Sequence, residues 1–316
     1  MTIHIFNNFH NPYGGSELEA LALHDLLGKT RRTRLWATSS RASADLLARF
    51  PIERVSLASR PDGGTYLFVG AHWRKGLWPY LAGKPSRLIY VYNVFHPKHT
   101  SLTSKAPPGW PRTEYVFISE FEKRTLGLEG VVHPSPIDLT RFVPAPRPAG
   151  GAVVIGRLSR DDPDKFDAAD MPIFAELARS GCTVRLQGAT CIADRLRGTG
   201  VEILPAGRTP APEFLQGLDI FYYRTGAHIE PFGRVVFEAM ACGLPVVCHS
   251  KGGYADWIRH GENGYLFDTD DEARALLAML AADPELRKRI GAEARRTVEE
   301  MYSEAALAKQ AEFYLR

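Results

Sequence analysis

Two glutamates flank the start of a predicted helix, and their spacing suits the binding of a polar, phosphorylated ligand. Glu230 lies in a loop that ends at Gly233, and the helix predicted over Arg234 to Ala241 carries Glu238. The first N–H groups of a helix have no partner within it, and its N-terminus carries a partial positive charge. The loop and helix start therefore predict a phosphate site.

Glu238 adds a second polar anchor on an otherwise apolar helix. It is the only acidic or basic residue between Val235 and Val247. A buried carboxylate is costly unless hydrogen-bond donors meet it, and the hydroxyls of a sugar or a ribose are suitable donors. The alternative is that Glu238 pairs with a neighbouring arginine or backbone amide.

The elements that must position these residues are short apolar strands alternating with helices. Consecutive apolar residues are typical of strands buried on both faces of a parallel sheet. Helices are predicted over Ser16 to Leu27, where Ser16 and Glu19 suggest a capping box, and in the second half over Met171 to Arg179, Ala211 to Gly217 and Arg234 to Ala241. The predicted strands are Thr2 to Phe6, Thr33 to Ala37, Thr65 to Val69, Arg87 to Tyr92, Glu114 to Ile118, Ala152 to Ile155, Thr183 to Gln187, Val201 to Leu204, Asp219 to Tyr223 and Pro245 to His249.

A proline-rich stretch separates the two series of strands and helices. Phe142 to Gly151 contains three prolines, so it suits neither a helix nor a central strand. We therefore expect two doubly wound α/β lobes, with the ligand at the carboxyl ends of their strands, in the cleft between them. The chain from Ala273 to Arg316 is predicted to be helical throughout.

Composition limits the class of protein and its partners. The chain has 316 residues, 45% of them hydrophobic and 24% charged, which favours a globular protein. Residues 1–148 carry 19 Lys and Arg against 11 Asp and Glu, and the remainder carries 20 against 25. A basic first half favours an anionic or membrane-borne partner, and an uneven scatter of solvated charge is the alternative.

The spacing of the cysteines and the N-terminal sequence indicate the cellular compartment of the protein. The four cysteines form no C-x-x-C pair, and the N-terminus lacks a basic start and a small-residue cleavage site. No apolar stretch is long enough to cross a bilayer. We expect a cytoplasmic protein with reduced thiols, or one on the inner face of the membrane.

The segment from Glu230 to Val247 resembles the E-x7-E signature of retaining glycosyltransferases with the GT-B fold, in particular glycosyltransferase family 4. The resemblance extends over most of the chain, in segments that occur in the family's order: Gly14-Gly15, Ser119 to Arg124, Pro136 to Phe142, Gly156 to Leu158 with Lys165, and Gly261 to Leu266. It implies an acceptor-binding domain over 1–145, a donor-binding domain over 146–298 and a C-terminal helix over 299–316 that packs back on the first domain.

The resemblance implies a cationic site for the diphosphate of a nucleotide-sugar donor. Arg157 and Lys165 would neutralise that diphosphate, so no metal and no cofactor is expected. The loop between them is longer than in the family and acidic, and an exposed ion-paired loop is the alternative for Lys165. Gly14 and Gly15 would let the backbone of the first lobe approach the phosphates or the acceptor.

The same resemblance assigns the sugar end of the donor. Glu230 would hold the transferred sugar together with the N–H groups of Phe232, Gly233 and Arg234, and Glu238 would hold the ribose hydroxyls. These residues form the implied donor site, and Glu230 belongs to the reaction centre with Arg157 and Lys165.

Family members carry a histidine near the reaction centre, after an apolar strand of the first lobe. His96 is the preferred candidate and His72 the alternative. His96 and His99 could also face one metal ion, but no third ligand is evident. Asp268-Thr-Asp270 matches the D-x-D pattern of a metal-dependent glycosyltransferase fold, and we interpret it instead as a helix start.

The implied activity is metal-independent transfer of a hexose-type sugar, with retention, from a UDP- or GDP-sugar to a saccharide or lipid-linked acceptor. The basic first lobe, which includes Arg31, Arg32 and Arg34, favours an anionic acceptor and a peripheral membrane contact. A small soluble acceptor is the alternative, and no nucleic acid is expected. Two other functions remain open: a nucleotide-sugar epimerase of the same fold, and a non-catalytic subunit that binds a nucleotide sugar.

Overall fold

The computed structural model describes residues 1–73, 76–95, 106–146 and 150–316. The chain divides into two compact units, one formed by Met1–Pro136 with Glu304–Arg316 and the other by Ile137–Ser303. The division thus falls earlier than the predicted boundary at 145, and the returning segment begins at 304 instead of 299.

Contacts of the proline-rich stretch explain the earlier boundary. Within the second unit, Arg295 donates a 2.6 Å hydrogen bond to the carbonyl of Phe142, and Gln216 donates one of 3.0 Å to the carbonyl of Val143. The start of the predicted linker is therefore bound to the second unit.

The first unit is a seven-stranded parallel sheet in the order β3-β2-β1-β4-β5-β6-β7. Its strands β1 and β4 are buried along their whole length, as the apolar runs predicted. The described elements are β1 Ile3–Asn7, α1 Gly15–Gly28, β2 Thr33–Ala37, α2 Ala44–Arg49, β3 Ile52–Arg54, β4 Thr65–Val69, α3 Trp78–Leu81, β5 Arg87–Val91, β6 Thr113–Phe117, α4 Glu120–Leu126, β7 Val131–Val132 and, at the C-terminus, α10 Glu304–Leu315.

The second unit is a six-stranded parallel sheet in the order β10-β9-β8-β11-β12-β13. Helices α8 and α9 of this unit, followed by α10 of the first unit, make the chain after Ala273 helical, as predicted. The described elements are β8 Val154–Leu158, α5 Asp170–Arg179, β9 Thr183–Gln187, β10 Glu202–Leu204, α6 Ala211–Gln216, β11 Ile220–Tyr223, α7 Arg234–Ala241, β12 Val246–His249, β13 Tyr265–Phe267, α8 Asp270–Ala282 and α9 Pro284–Met301, with 3-10 turns at Pro163–Lys165, Thr190–Leu196 and Gly253–Asp256.

Of two predicted helix starts, one has a wrong cap and the other is confirmed. The capping box at Ser16 is wrong: α1 begins at Gly15, and the Ser16 hydroxyl instead accepts a 2.8 Å hydrogen bond from the Asn7 side chain. The D-x-D segment is a helix start, as predicted. There Thr269 and Glu272 form a capping box that satisfies N–H groups at the beginning of α8.

Within the described residues, no helix has the length and apolar character needed to span a membrane.

Candidate active site

A left-handed glycine sets the geometry of the loop between β11 and α7. Gly233 has φ +83°, and a Cβ placed on it would lie 2.4 Å from Cδ1 of Tyr254. Only glycine fits both the dihedral angle and the contact. This residue ends the loop and lets α7 begin at Arg234, where the sequence predicted it.

Glu230, in the loop that leads into this helix, is the centre of a cluster of polar side chains. Its Oε2 lies 2.7 Å from Nζ of Lys165 and accepts a 2.8 Å hydrogen bond from the hydroxyl of Tyr223. Nε2 of His228 lies 3.7 Å from the same oxygen. Only 8% of the Lys165 side chain and 12% of the Glu230 side chain are exposed, so the ion pair is largely shielded from water.

These contacts hold Glu230 in its charged form. Burial alone would raise the pKa of Glu230, but Lys165, His228 and the hydrogen bonds together lower it to about 2. Burial lowers the pKa of the Lys165 ammonium, and Glu230 opposes that change. The pair is therefore an ionised carboxylate and its cation, and Glu230 is suited to accept hydrogen bonds from sugar hydroxyls rather than to donate a proton.

The peptide backbone fixes the loop that carries Glu230. The N–H of Gly253 donates a 2.9 Å hydrogen bond to the Glu230 carbonyl. Phe232 is buried and stacks on Phe237 of α7 with ring centroids 4.4 Å apart. The Phe232 side chain is thus an anchor, which leaves its backbone as the part that a ligand could use.

Arg157 does not face open space, which differs from the direct diphosphate contact that the resemblance implied. Its side chain is fully buried, and its guanidinium donates to the carbonyls of Lys165 and Arg224. The group lies between the rings of Phe166 and Tyr223, 4.4 and 4.8 Å from their centroids. Because the side chain is fully buried and two of its nitrogens donate to these carbonyls, Arg157 fixes the backbone of Lys165 in this structure.

A buried charge network that the sequence did not predict lies next to Arg157. Asp170 accepts hydrogen bonds from the Tyr222 hydroxyl, at 2.5 Å, and from Nε of Arg224, at 2.8 Å, and it lies 3.8 Å from Arg157. Arg224 also pairs with Asp270 at 2.5 Å. The only sign of this network in the sequence is Asp170, next to the start of a predicted helix. An aspartate at such a position usually indicates only that the helix terminus is stabilised.

Glu238 has the partner that the alternative interpretation proposed. Its Oε1 lies 3.4 Å from Nε of Arg234, one helical turn earlier, and only 8% of its side chain is exposed. Burial raises the pKa of Glu238, and Arg234 and Arg141 oppose that rise. The distance to Arg234 is long for a hydrogen bond, so the carboxylate can still accept hydroxyl donors.

The glycines of the first unit have different environments. A Cβ on Gly14 would lie 2.0 Å from Oε2 of Glu17, whose other oxygen accepts the N–H groups of His10 and Asn11 at 3.1 and 3.2 Å. Gly14 is thus explained by this local packing. A Cβ on Gly15 would meet no atom of the described residues within 4 Å, so no contact in that part of the chain explains a glycine there.

Of the candidate histidines, the structure describes only His72. Its ring lies 6.1 Å from that of Tyr90, centroid to centroid, and the residue is partly buried. His96 and His99 fall outside the described residues. In the part of the chain that the structure describes, no three His, Cys, Asp or Glu side chains come together as metal ligands.

The fold is that of the GT-B glycosyltransferases. The crystal structure of Anabaena Alr3699/HepE in complex with UDP and glucose superposes on the chain with a TM-score of 0.74, at 18% identity, covering 100% of this chain and 99% of that one. The predicted GT-B fold class is thereby confirmed.

Residues 196–297 match the family model described as Glycosyl transferases group 1. N-acetyl-alpha-D-glucosaminyl L-malate synthase of Bacillus anthracis is 36% identical over 85 residues, 26% of this chain and 22% of that protein. D-inositol 3-phosphate glycosyltransferase of Thermomonospora curvata is 38% identical over 90 residues, 28% of this chain and 21% of that protein. The aligned part of the chain thus spans about a fifth of the length of these relatives.

The resemblance to group 1 glycosyltransferases is confirmed over this segment. The matched residues include Glu230, Gly233 and Glu238, whereas Arg157, Lys165 and the whole first unit lie outside them.

Proposed function

We propose that the protein is a glycosyltransferase that takes a hexose-type sugar from a nucleotide diphosphate donor. The observation that carries the proposal is the Lys165–Glu230 ion pair, which holds one cation beside an ionised carboxylate in the loop that leads into the N-terminus of α7. A nucleotide sugar carries the complementary groups: a diphosphate and a ring of hydroxyls.

In this proposal, the donor's sugar lies against the Glu230 carboxylate and the N–H groups of Phe232, Gly233 and Arg234. The sugar hydroxyls donate to Glu230, whose depressed pKa keeps it an acceptor. Glu238 accepts the ribose hydroxyls.

The diphosphate end of the donor takes Lys165 as its cation. Arg157 acts as a positioning residue, because its contact with the Lys165 carbonyl fixes the segment that carries the ammonium. From the first unit, the proposal assigns Gly15 as backbone that the donor could approach and His96 or His72 as the candidate histidine of the reaction.

Transfer proceeds with retention of anomeric configuration. The bond between the anomeric carbon and the diphosphate oxygen breaks, and the acceptor hydroxyl forms the new bond on the same face of the sugar. A phosphate oxygen of the leaving group takes the hydroxyl proton. Lys165 and the helix N-terminus stabilise the charge that develops on the diphosphate. NMR of the product's anomeric proton is expected to give the donor's configuration, and an inverted product would exclude this course.

Charge neutralisation by Lys165 and the helix start makes a metal unnecessary in this proposal. We expect the transfer rate to be unchanged by a chelator and by added Mg²⁺. A rate that falls on chelation and returns with the metal would show that the cationic side chains do not suffice.

UDP- and GDP-sugars are the proposed donors, and a saccharide or lipid-linked saccharide is the proposed acceptor. HepE is described in complex with UDP and glucose, which supports a uridine donor. The excess of Lys and Arg in the first half of the chain supports an anionic or membrane-borne acceptor.

A thermal-shift screen with UDP, GDP, ADP and TDP tests donor binding. Binding stabilises the native state by mass action, by about 2.7 kcal/mol at a hundredfold excess over Kd. We expect one nucleotide to raise the Tm of the wild type and to bind Lys165→Met at least about tenfold more weakly, since a hydrogen bond to a charged group is lost. Lys288→Met, an exposed lysine on α9, is the matched control.

Glu230→Ala separates the proposed enzyme from a non-catalytic subunit, and an assay without acceptor separates it from an epimerase. We expect this variant to fold and to lose transfer. A subunit that only binds the donor would keep full pathway activity with this substitution, and an epimerase would convert the donor with no acceptor present.

A further inference from the structure

His228, to which the proposed function gives no part, lies beside the Lys165–Glu230 ion pair. Its Nε2 is 3.7 Å from Oε2 of Glu230, and 21% of its side chain is exposed. The N–H of His228 donates a 3.0 Å hydrogen bond to the carbonyl of Asp164, the residue before Lys165. The loop that carries His228 and the turn that carries Lys165 are therefore joined, so the imidazole is held next to the ion pair.

Three side chains approach the same carboxylate oxygen of Glu230. Nζ of Lys165 lies 2.7 Å from Oε2, and the Tyr223 hydroxyl donates to this oxygen at 2.8 Å. The imidazole of His228, at 3.7 Å, is too far for a hydrogen bond but close enough for an ion pair once it carries a proton. Oε2 thus has one cation in place and a second group that can become one.

In the free protein the imidazole is neutral near pH 7. Burial is the main cause that lowers the pKa of His228, and Lys165 lowers it next. Glu230 opposes this change, Arg160 adds to it, and Asp162 opposes it. Because the Lys165 ammonium already neutralises Glu230, the free protein has little need of a second positive charge at this point.

Donor binding would change the balance of charge around His228. In the proposed function the diphosphate of the donor takes the Lys165 ammonium, which in this structure is paired with Glu230. The carboxylate is then compensated less well, while the diphosphate adds negative charge of its own. A nearby opposite charge moves a pKa toward the charged form by about 1–3. Both changes therefore favour uptake of a proton by His228.

We propose that His228 becomes the counter-ion of Glu230 when the donor binds. The Lys165 ammonium turns to the diphosphate, and the imidazole takes up one proton from the solvent and pairs with the carboxylate. His228 is a positioning residue in this step, because it acts through Glu230, which holds the sugar. The inference rests on the proposed function and adds that donor binding is coupled to proton uptake.

Isothermal titration calorimetry in buffers of different ionisation enthalpy counts the protons taken up on binding. The ligand is the glucose ester of the nucleotide that gives the largest Tm shift: UDP-glucose, GDP-glucose, ADP-glucose or TDP-glucose. The sugar ester is used because a terminal phosphate group would itself titrate near a pH of about 6. We expect the wild type to take up a net fraction of one proton per ligand bound at pH 7.

The affinity should depend on pH in the direction that this coupling requires. The bound state holds the proton more tightly, so Kd falls as pH drops through the pKa of the bound imidazole. It levels off below the pKa of the free one, where both states are protonated. Between pH 8 and pH 6, we expect the Kd of the wild type to fall by about tenfold.

His228→Gln removes the titrating group and keeps a polar side chain. We expect this variant to bind the ligand without net proton uptake, with a Kd that changes less than about twofold from pH 8 to pH 6. His249→Gln is the matched control. His249, at the end of β12, also has a pKa lowered by burial, but its ring lies against Phe267, with centroids 5.4 Å apart. This control should take up protons as the wild type does.

Circular dichroism verifies that each variant is folded, and His228→Asn is a second variant without a titrating group. Binding without proton uptake by the wild type would overturn the proposal. So would uptake by a folded His228 variant that equals that of the wild type, or loss of uptake in His249→Gln. In each of these cases the ligand still binds, so the proposed donor site stands. If none of the four sugar esters binds, or if Lys165→Met binds as tightly as the wild type, the proposed function fails and this inference fails with it.

Discussion

Removing the Lys165 ammonium should destabilise the second unit and weaken donor binding together. In Lys165→Met, Glu230 loses a partner at 2.7 Å and stays buried with the Tyr223 hydroxyl as a remaining hydrogen-bond donor. Breaking a buried ion pair on one side costs about 3–5 kcal/mol. Because Tyr223 and the nearby His228 remain, we expect the lower limit, about 3 kcal/mol.

The second change in a double-mutant cycle removes the unpaired charge. Glu230→Gln in the Lys165→Met background takes away the buried carboxylate while keeping its size, so the double variant should regain part of the lost stability. We expect a coupling energy of about 2 kcal/mol between the two positions, within the range for side chains in direct contact. Transfer activity should be absent from all three variants.

Calorimetry is the suitable assay for a chain of two units, because it resolves separate unfolding transitions. For a unit of this size, one kcal/mol corresponds to about 2–4 °C in Tm, so Lys165→Met should lower one transition by about 6–12 °C. Lys288→Met should leave both transitions in place. A Lys165→Met transition within 2 °C of the wild type, or purely additive losses in the double variant, would refute the view of this pair as the structural centre of the site.

Three further changes test individual parts of the structure. Gly233→Ala should lower the unfolding free energy by more than about 1 kcal/mol, measured by Tm, since φ is +83° and Tyr254 occupies the space for a Cβ; an unchanged Tm would contradict this. Ser119→Ala should cost about 1 kcal/mol, because its hydroxyl accepts the Glu122 N–H at 2.9 Å at the start of α4; Ser40→Ala, at an exposed serine, is the control, and equal Tm values for the two variants would count against the cap. Burial lowers the pKa of His133 to about 4 from 6.5, so the unfolded chain takes up the proton first and unfolding free energy should fall as pH drops from 6.5 to 4. His133→Phe should flatten that pH dependence, and an unchanged slope would show that His133 does not contribute to it.

The central strands could be predicted from sequence because burial on both faces leaves a continuous apolar run. Strand β1 is one example, and its predicted range, Thr2 to Phe6, differs by one residue at each end from the observed Ile3–Asn7. The edge strands β3 and β7 were not predicted, since they are two or three residues long and not fully buried. Such short edge strands carry few residues for a pattern, although β10, which has the same length as β3, was predicted at Val201 to Leu204.

The site was predictable where its geometry is local. The sequence predicted that the loop ends at Gly233 and that the helix begins at Arg234, and both are observed, whereas the left-handed φ of Gly233 was not predicted. The Lys165–Glu230 pair joins residues 65 positions apart, so it depends on the packing of the sheet. The burial of Arg157 between two aromatic rings depends on the same packing, and sequence spacing gave no sign of it.

The most direct test of the proposed donor site is a crystal structure of the protein with a sugar of the nucleotide that gives the largest Tm shift. We expect sugar hydroxyls within hydrogen-bond distance of the Glu230 carboxylate and a diphosphate oxygen within that distance of the Lys165 ammonium. A donor bound elsewhere, with the Lys165–Glu230 pair untouched and no ligand in front of α7, would contradict it.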